Sequence, residues 1–292
     1  MFGPDRARSG LAFAVGDSGV DKSEWEGVAG TTWATEWRRT DRSFTQLTER
    51  LLASLRGRSA AQILDIGCGA GELALAIARS HPHAELVGVD VSPQLVTVAQ
   101  ERAAHLANVR FVCADAATWA PDAGFAPELL ISRHGVMFFD NPPAAFANLA
   151  ACAAPDAEMI FSCFREPAAN PFFTEVLTLL PQLPPPGVPH APGPFAFADQ
   201  GHVAGILAAG GWRDITFAEV DFPMIAGVGE HAVEQAVEYF RLIGPAAAAT
   251  RAMDDAARAR FLDRVRTMAM RNCREGVVSM SAAAWIVNAR KA

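Results

Sequence analysis

Three glycines, Gly67, Gly69 and Gly71, stand in LDIGCGAGEL (64–73), between an apolar run and a run with helical spacing. A turn of this kind lets backbone come close to a ligand. The helix that follows offers unpaired N–H groups and a partial positive charge. Such loops serve many nucleotide cofactors, so spacing decides. Dinucleotide binding wants GxGxxG. Here the pattern is GxGxG, and Glu72 stands where the third glycine would fall. An acid beside a pyrophosphate costs binding energy. A P-loop is excluded, because no GKS or GKT follows. Asp90 comes about 20 residues later, where a carboxylate can accept hydrogen bonds from both hydroxyls of a ribose. In CADAATW (113–119), Asp115 and the Ala116 N–H are placed to meet the edge of an adenine. Asp65 lies below the glycines, near where an ammonium group would sit.

The elements that must position these residues are short. AQILDI (61–66), AELVGVD (84–90), VRFVCAD (109–115), PELLIS (127–132) and AEMIFSCF (157–164) read as strands. Helical runs separate them at 71–80, 92–107 and 142–154, the second opened by Ser92 as N-cap and Pro93. This alternation predicts an α/β fold with a parallel sheet covered on both faces. Asp65, Asp90 and Asp115 then fall at carboxyl ends of strands, where open α/β sheets bind ligands. Beyond residue 164, 170–182, a run from Asp199 to Ala209, 230–243 and 254–272 read as helices. Residues 214–224 and 281–290 read as late strands, and 183–194 as a proline-rich loop. Near the N-terminus, 42–55 reads as a helix after the tryptophan-rich stretch 24–37.

The chain has 292 residues, 51% of them hydrophobic and 20% charged, which excludes a disordered linker protein. A net charge of −7 speaks against a phosphate backbone as partner. Five scattered cysteines without a CxxC pair indicate neither a zinc site nor a disulfide frame, so no metal is expected. The apolar patch 11–15 is too brief for a signal segment, and no run approaches the roughly 20 residues of a membrane span. A cytoplasmic protein acting on a small molecule is expected. The oligomeric state stays open, a homodimer included.

With DIGCGAG (65–71), Asp90 and Asp115-Ala116 in order and spacing, the chain resembles the class I S-adenosylmethionine-dependent methyltransferases. The stretches 129–149 and 163–173 are similar to a bacterial branch related to quinone-biosynthesis C-methyltransferases. The core resemblance covers roughly residues 45–220. It implies a Rossmann-like sheet of seven strands with an antiparallel last hairpin, S-adenosylmethionine as cofactor and S-adenosylhomocysteine as product. It implies amino-acid contacts from Asp65, Gly67 and Gly69, ribose contacts from Asp90, and adenine contacts from Asp115 and Ala116. The full expected cofactor set adds Trp33, Cys68, Gly71, Val91, Ser132 and Arg133. A single domain is expected, with a core over 45–228 and 273–292 and a lid from 1–44 and 229–272.

The reaction expected is methyl transfer to a small, largely apolar or aromatic acceptor, at oxygen or carbon. His134, in SRHG (132–135), is the first candidate for a general base. Arg133 is a candidate to hold a carboxylate, and Cys68 reads as a packing residue. DNPP (140–143) resembles the tetrad of amino-group DNA methyltransferases, but it comes late and Ala144 replaces the aromatic needed to stack on a flipped base. Pro142-Pro143 read better as a helix start. Phe138, Phe139, Phe172, Phe173, Phe195, Phe197 and Phe240 are expected to border the acceptor cavity. The rival readings are a non-catalytic S-adenosylmethionine-binding regulatory or assembly protein and a dinucleotide oxidoreductase.

Overall fold

In a computed structural model, residues 22–185 and 187–292 are described. The N-terminal patch and the first part of the expected lid, residues 1–21, lie outside them. Helices α1 (Lys22–Glu26), α2 (Val28–Thr35) and α3 (Trp37–Ser54) precede the sheet. The alternating part then runs β1 (Gln62–Ile66), α4 (Glu72–Ser80), β2 (Glu85–Asp90), α5 (Pro93–Ala103), β3 (Val109–Cys113), β4 (Leu129–Arg133), α6 (Pro142–Cys152) and β5 (Glu158–Phe164). Helices α7 (Pro171–Thr178) and α8 (Gln200–Ala209) lead to β6 (Trp212–Val228). Then come α9 (Ala232–Leu242), α10 (Ala247–Ala252), α11 (Asp255–Arg271), the two-residue β7 (Cys273–Arg274) and β8 (Val277–Lys291).

The strand order is β3-β2-β1-β4-β5-β8-β6, with β7 paired to β8. The first five strands are parallel, and β8 and β6 are antiparallel. Order reverses between β1 and β4, so the crevice for a ligand opens at their carboxyl ends. The inner strands are mostly apolar and buried along nearly their whole length, as a sheet covered on both faces requires. Seven strands match the expectation, and β7 is an eighth. The β6–β8 ribbon is longer than sequence reading placed it, with cross-strand partners from Trp212 with Lys291 to Val228 with Val277. Bulges at Arg213/Thr216 and Ile225/Gly227 bend it. Gly227 is required there, because a Cβ would run into the Ala232 carbonyl at the start of α9.

The local signals for helix starts hold. Ser92 caps α5 by accepting from the Leu95 N–H at 3.4 Å, with Pro93 in the first position. Asn141 caps α6, so DNPP is a helix start. Asp199 caps α8 at 2.6 Å from the His202 nitrogen. The expected boundary between lid and core at residue 44/45 falls inside α3, whose backbone hydrogen bonds continue through it. The breaks in the N-terminal helices lie instead at Gly27 and Glu36.

Candidate active site

The site is built on the glycine turn. The Gly67 and Cys68 N–H groups both donate to the Val89 carbonyl, at 2.8 and 3.1 Å, which pins the turn to the end of β2. All three glycines have positive φ, at 64°, 53° and 84°, but they answer different needs. A Cβ on Gly67 would stand 2.7 Å from the Gly135 Cα, so two glycines let the β1 and β4 turns touch. A Cβ on Gly71 would meet Phe111 at 2.9 Å and Ala99 at 3.1 Å. Gly69 alone faces open space.

Above this turn lies a cavity of about 420 Å³. Asp65, Gly67, Cys68, Gly69, Asp90, Val91, Asp115, Ala116, Arg133, His134 and Trp33 all line it. Asp90 accepts from the Gly69 N–H at 2.8 Å and the Ser92 N–H at 2.9 Å. Burial raises its carboxyl, opposed by those backbone bonds. A carboxylate has about four lone-pair sites, so some capacity remains for a ligand. Asp65 is 1% exposed, and its Oδ2 has no hydrogen-bond partner. Burial pushes its carboxyl up to about 7 against the pull of Arg133. Burial also pushes the Cys68 thiol well up, which keeps it a packing group. Asp115 accepts from Lys22 Nζ and from the Ala117 N–H, both at 2.9 Å.

The N-terminal helices cover this end. Ala34, Ala70 and Leu95 form a small buried cluster with Trp25, Trp33 and Trp37 packed on it, which joins α2 to the glycine turn and to α5. Arg102 of α5 pins α3 to the same place. It donates to the Ala70 carbonyl and to Asp41 Oδ2, each at 2.7 Å, with its guanidinium 3.8 Å over Trp37. Gly30 is where α2 touches the α5 cap, since a Cβ there would collide with the Trp25 carbonyl and the Ser92 hydroxyl. Gly30→Ala is expected to weaken S-adenosylhomocysteine binding about tenfold and to lower the melting temperature by about 3–10 °C. Calorimetric titration and a melting curve of one sample check this, and an unchanged affinity would show that α2 does not close the site.

The far end of the cavity is aromatic: Phe44, Phe138, Phe164, Phe172, Phe173 and Tyr239 line it. His134 sits there with a left-handed φ of 61°, a conformation that costs a non-glycine residue about 1–2 kcal/mol. Its ring stacks on Phe164, centroids 4.0 Å apart, and meets the edge of Phe44 at 5.4 Å. Burial, reinforced by the Arg133 charge, lowers its pKa to about 3. An imidazole so placed is neutral at pH 7 and a poor proton acceptor. Arg133 donates to Thr48 Oγ1 at 2.7 Å and pairs with Glu72, so its charge is matched within the fold.

Residues 63–156 match the family model described as a methyltransferase domain. Residues 63–156 thus carry a methyltransferase domain. A trans-aconitate 2-methyltransferase of Paracidovorax citrulli is 33% identical over 119 residues, 41% of this chain and 45% of that protein. One from Methylobacterium radiotolerans is 30% identical over 210 residues, 70% of this chain and 64% of that protein. The chain thus spans about half the length of the first curated relatives it matches. A phosphoethanolamine N-methyltransferase of Haemonchus contortus shares the fold, at a TM-score of 0.54 and 14% identity, over 93% of this chain and 59% of that one.

The methyltransferase domain places most of the expected residues together, with corrections. Gly71 does not line the cavity, because its missing Cβ serves the contact of α4 with Phe111 and Ala99. Ser132 does not line it either. Its hydroxyl donates to the Ile66 carbonyl at 2.7 Å and accepts from the Gly135 N–H at 3.1 Å, holding the two turns together from behind. Phe195, Phe197 and Phe240 lie outside the lining. Phe197 packs between Phe146 and Phe161, and Phe240 against Phe172. Sequence reading missed Lys22, Asp41, Phe44, Phe164, Met224 and Tyr239, which line the cavity. Asp41 and Phe44 come from α3, Met224 from β6 and Tyr239 from α9, and no local motif announces elements so distant in the chain. Among the described residues no helix is long and apolar enough to cross a membrane, and no three His, Cys, Asp or Glu side chains cluster to hold a metal.

Proposed function

We propose that the chain transfers a methyl group from S-adenosylmethionine to a small, uncharged, largely apolar or aromatic acceptor, at oxygen or carbon. The observation that carries this reading is the makeup of the cavity. Aromatic side chains line its far end, and each cation among its described lining residues already has a carboxylate partner: Lys22 with Asp115, Arg133 with Glu72. Asp41 is itself paired with Arg102. A polycarboxylate such as trans-aconitate would bring several charges into a space with no free cation among its described lining residues, and unpaired buried charge is strongly unfavourable.

The near end fits the cofactor. Asp65, buried with one oxygen unpartnered, suits an ammonium group. Gly69 leaves room for close approach at the turn. Asp90 keeps lone pairs for ribose hydroxyls, and Ala116 with Asp115 borders the adenine position. Val91, Cys68 and Trp33 add packing there, and Arg133 holds Glu72 away from the ligand. The bound cofactor supplies an electrophilic methyl group on a sulfonium. The residues of this chain align the acceptor with it and keep water out: Trp25, Trp33 and Phe138 interlock at one wall, with centroid separations of 5.2 and 5.3 Å. We take residues 22–36 and 229–272 as the lid, in one domain with the core. Quinols are the first acceptors to try, on the resemblance of 129–149 and 163–173.

Calorimetric titration tests the reading. S-adenosylmethionine and S-adenosylhomocysteine are expected to bind, NADH is not, and Asp90→Ala should weaken both adenosyl ligands about 30-fold or more. A methylation assay should then yield product with 1-naphthol or a quinol and none with trans-aconitate. Binding of NADH in preference would return the oxidoreductase reading. Cofactor binding without turnover of any acceptor would favour a regulatory protein.

A further inference from the structure

Asp41 is an acid at the glycine turn that comes from outside it. It stands on α3 and lines the cavity together with Asp65, Gly69 and Ala70. Arg102 fixes its place. One terminal guanidinium nitrogen donates to Asp41 Oδ2 and the other to the Ala70 carbonyl, each at 2.7 Å. The carboxyl is thereby held against the turn. Phe44, three residues on and so on the same helix face, belongs to the aromatic end of the cavity.

The bond to Arg102 does not use the carboxylate up. Among the described residues Asp41 Oδ1 receives no hydrogen bond, yet it is not sealed off as Asp65 Oδ2 is. The side chain is 16% exposed, on a residue of the cavity wall, so an oxygen is free to meet a ligand. Nor does Arg102 balance the charge. Burial, and after it the Glu72 charge, raises the Asp41 carboxyl against the pull of Arg102 and Arg133. Arg133 pulls on Asp65 too, and Asp90 opposes it. Asp41, Asp65, Glu72 and Asp90 thus surround this end with only Arg102 and Arg133 to match them, and carboxylate is in excess. A clasp between α3 and α5 needs no such excess, whereas a cationic ligand group gains from it. A primary ammonium has three N–H donors, enough to serve two carboxylates at once.

We propose that Asp41 Oδ1 accepts a hydrogen bond from the ammonium group at the amino-acid end of the cofactor, so that α3 selects adenosyl ligands that carry an ammonium. The proposal rests on the cofactor reading above. Asp65 serves the same group from the sheet side of the turn, and Asp41 serves it from the helix side. Because Phe44 rides on the same face of α3, this bond also sets one wall of the acceptor end before the acceptor arrives.

A cycle of one substitution and one ligand change tests this in the full chain. S-adenosylhomocysteine is compared by calorimetric titration with its deamino analogue, which keeps the adenosine, the thioether and the carboxylate. Asp41→Asn keeps an oxygen for Arg102 and removes the charge. It is expected to weaken S-adenosylhomocysteine about 10- to 30-fold and to leave the deamino analogue bound no more weakly than in wild type. Asp41→Ser, also uncharged, is read against the same pattern if the amide variant does not fold. Equal weakening of both ligands would reduce Asp41 to a clasp for Arg102 and overturn the proposal. An unchanged affinity for S-adenosylhomocysteine would overturn it as well. A wild-type protein that binds neither ligand would remove the cofactor reading itself, and the proposal with it.

Discussion

At pH 8, Asp65→Asn is expected to melt a few degrees above the wild-type protein and to bind S-adenosylhomocysteine about 30- to 100-fold more weakly. The two effects have one cause. Asp65 is buried on β1 below the glycine turn, and burial pushes its carboxyl up to about 7. Its folded value therefore lies above its unfolded one, near 3.8. Between those values the folded protein holds the extra proton, so stability falls as pH rises from about 4 to about 7 and stays lowered above that. Carrying the charge buried at pH 8 costs on the order of 4 kcal/mol. Asparagine removes the charge but leaves a polar group without a partner, which returns about 1–3 kcal/mol of the gain. An ammonium group would find the carboxylate already in place, so wild-type affinity should fall up to about tenfold per pH step below 7. At pH 5.5 wild type and variant should converge in both stability and affinity. Melting curves and titrations at the two pH values check this. A variant less stable than wild type at pH 8 would mean that Asp65 has a structural partner and is no poised binding group.

Gly67→Ala is expected to destabilise the fold by roughly 2–5 kcal/mol, whereas Gly69→Ala should cost about 1 kcal/mol and mainly weaken cofactor binding. Both positions have positive φ, so both substitutions carry backbone strain. Only at Gly67 does a methyl group meet neighbouring backbone, at 2.7 Å from the Gly135 Cα. That neighbour cannot yield, because a Cβ on Gly135 would in turn lie 2.6 Å from the Ile66 carbonyl. At Gly69 the methyl group projects into open space at the cavity floor. Urea denaturation should separate the variants, and calorimetry with S-adenosylhomocysteine should rank them in the opposite sense once the remaining folded fraction is counted. Equal stability losses would show that the strained backbone alone sets the cost.

The alternating strands and helices from residue 61 to 164 were legible because each signal is local. Ser92 with Pro93 starts a helix wherever it stands, and five apolar runs of strand length can only be buried in a covered sheet. The glycine spacing with Glu72 in third place separated the cofactor classes for the same reason. Asp65, Asp90 and Asp115 were legible as a set, because parallel strands bring their carboxyl ends to one edge whatever the loops do.

What the sequence by itself determined, then, is the sheet and the edge at which the glycine turn and the three aspartates meet. Tertiary structure alone decided how each group is used. Nothing in the chain tells Gly71 from Gly69, since both follow from one turn, and only the approach of Phe111 and Ala99 assigns Gly71 to packing. Arg133 looked like a ligand group until Glu72 and Thr48, distant in sequence, matched its donors. The acceptor end is assembled from α3, β4, β5, α7, β6 and α9, whose contacts span much of the chain. His134 is the sharpest case. Residue type suggested a base, but burial against Phe164 and Phe44 beside the Arg133 charge removes the second proton. The desolvation that sets a pKa belongs to the space around a side chain, and that space exists only after the chain has folded.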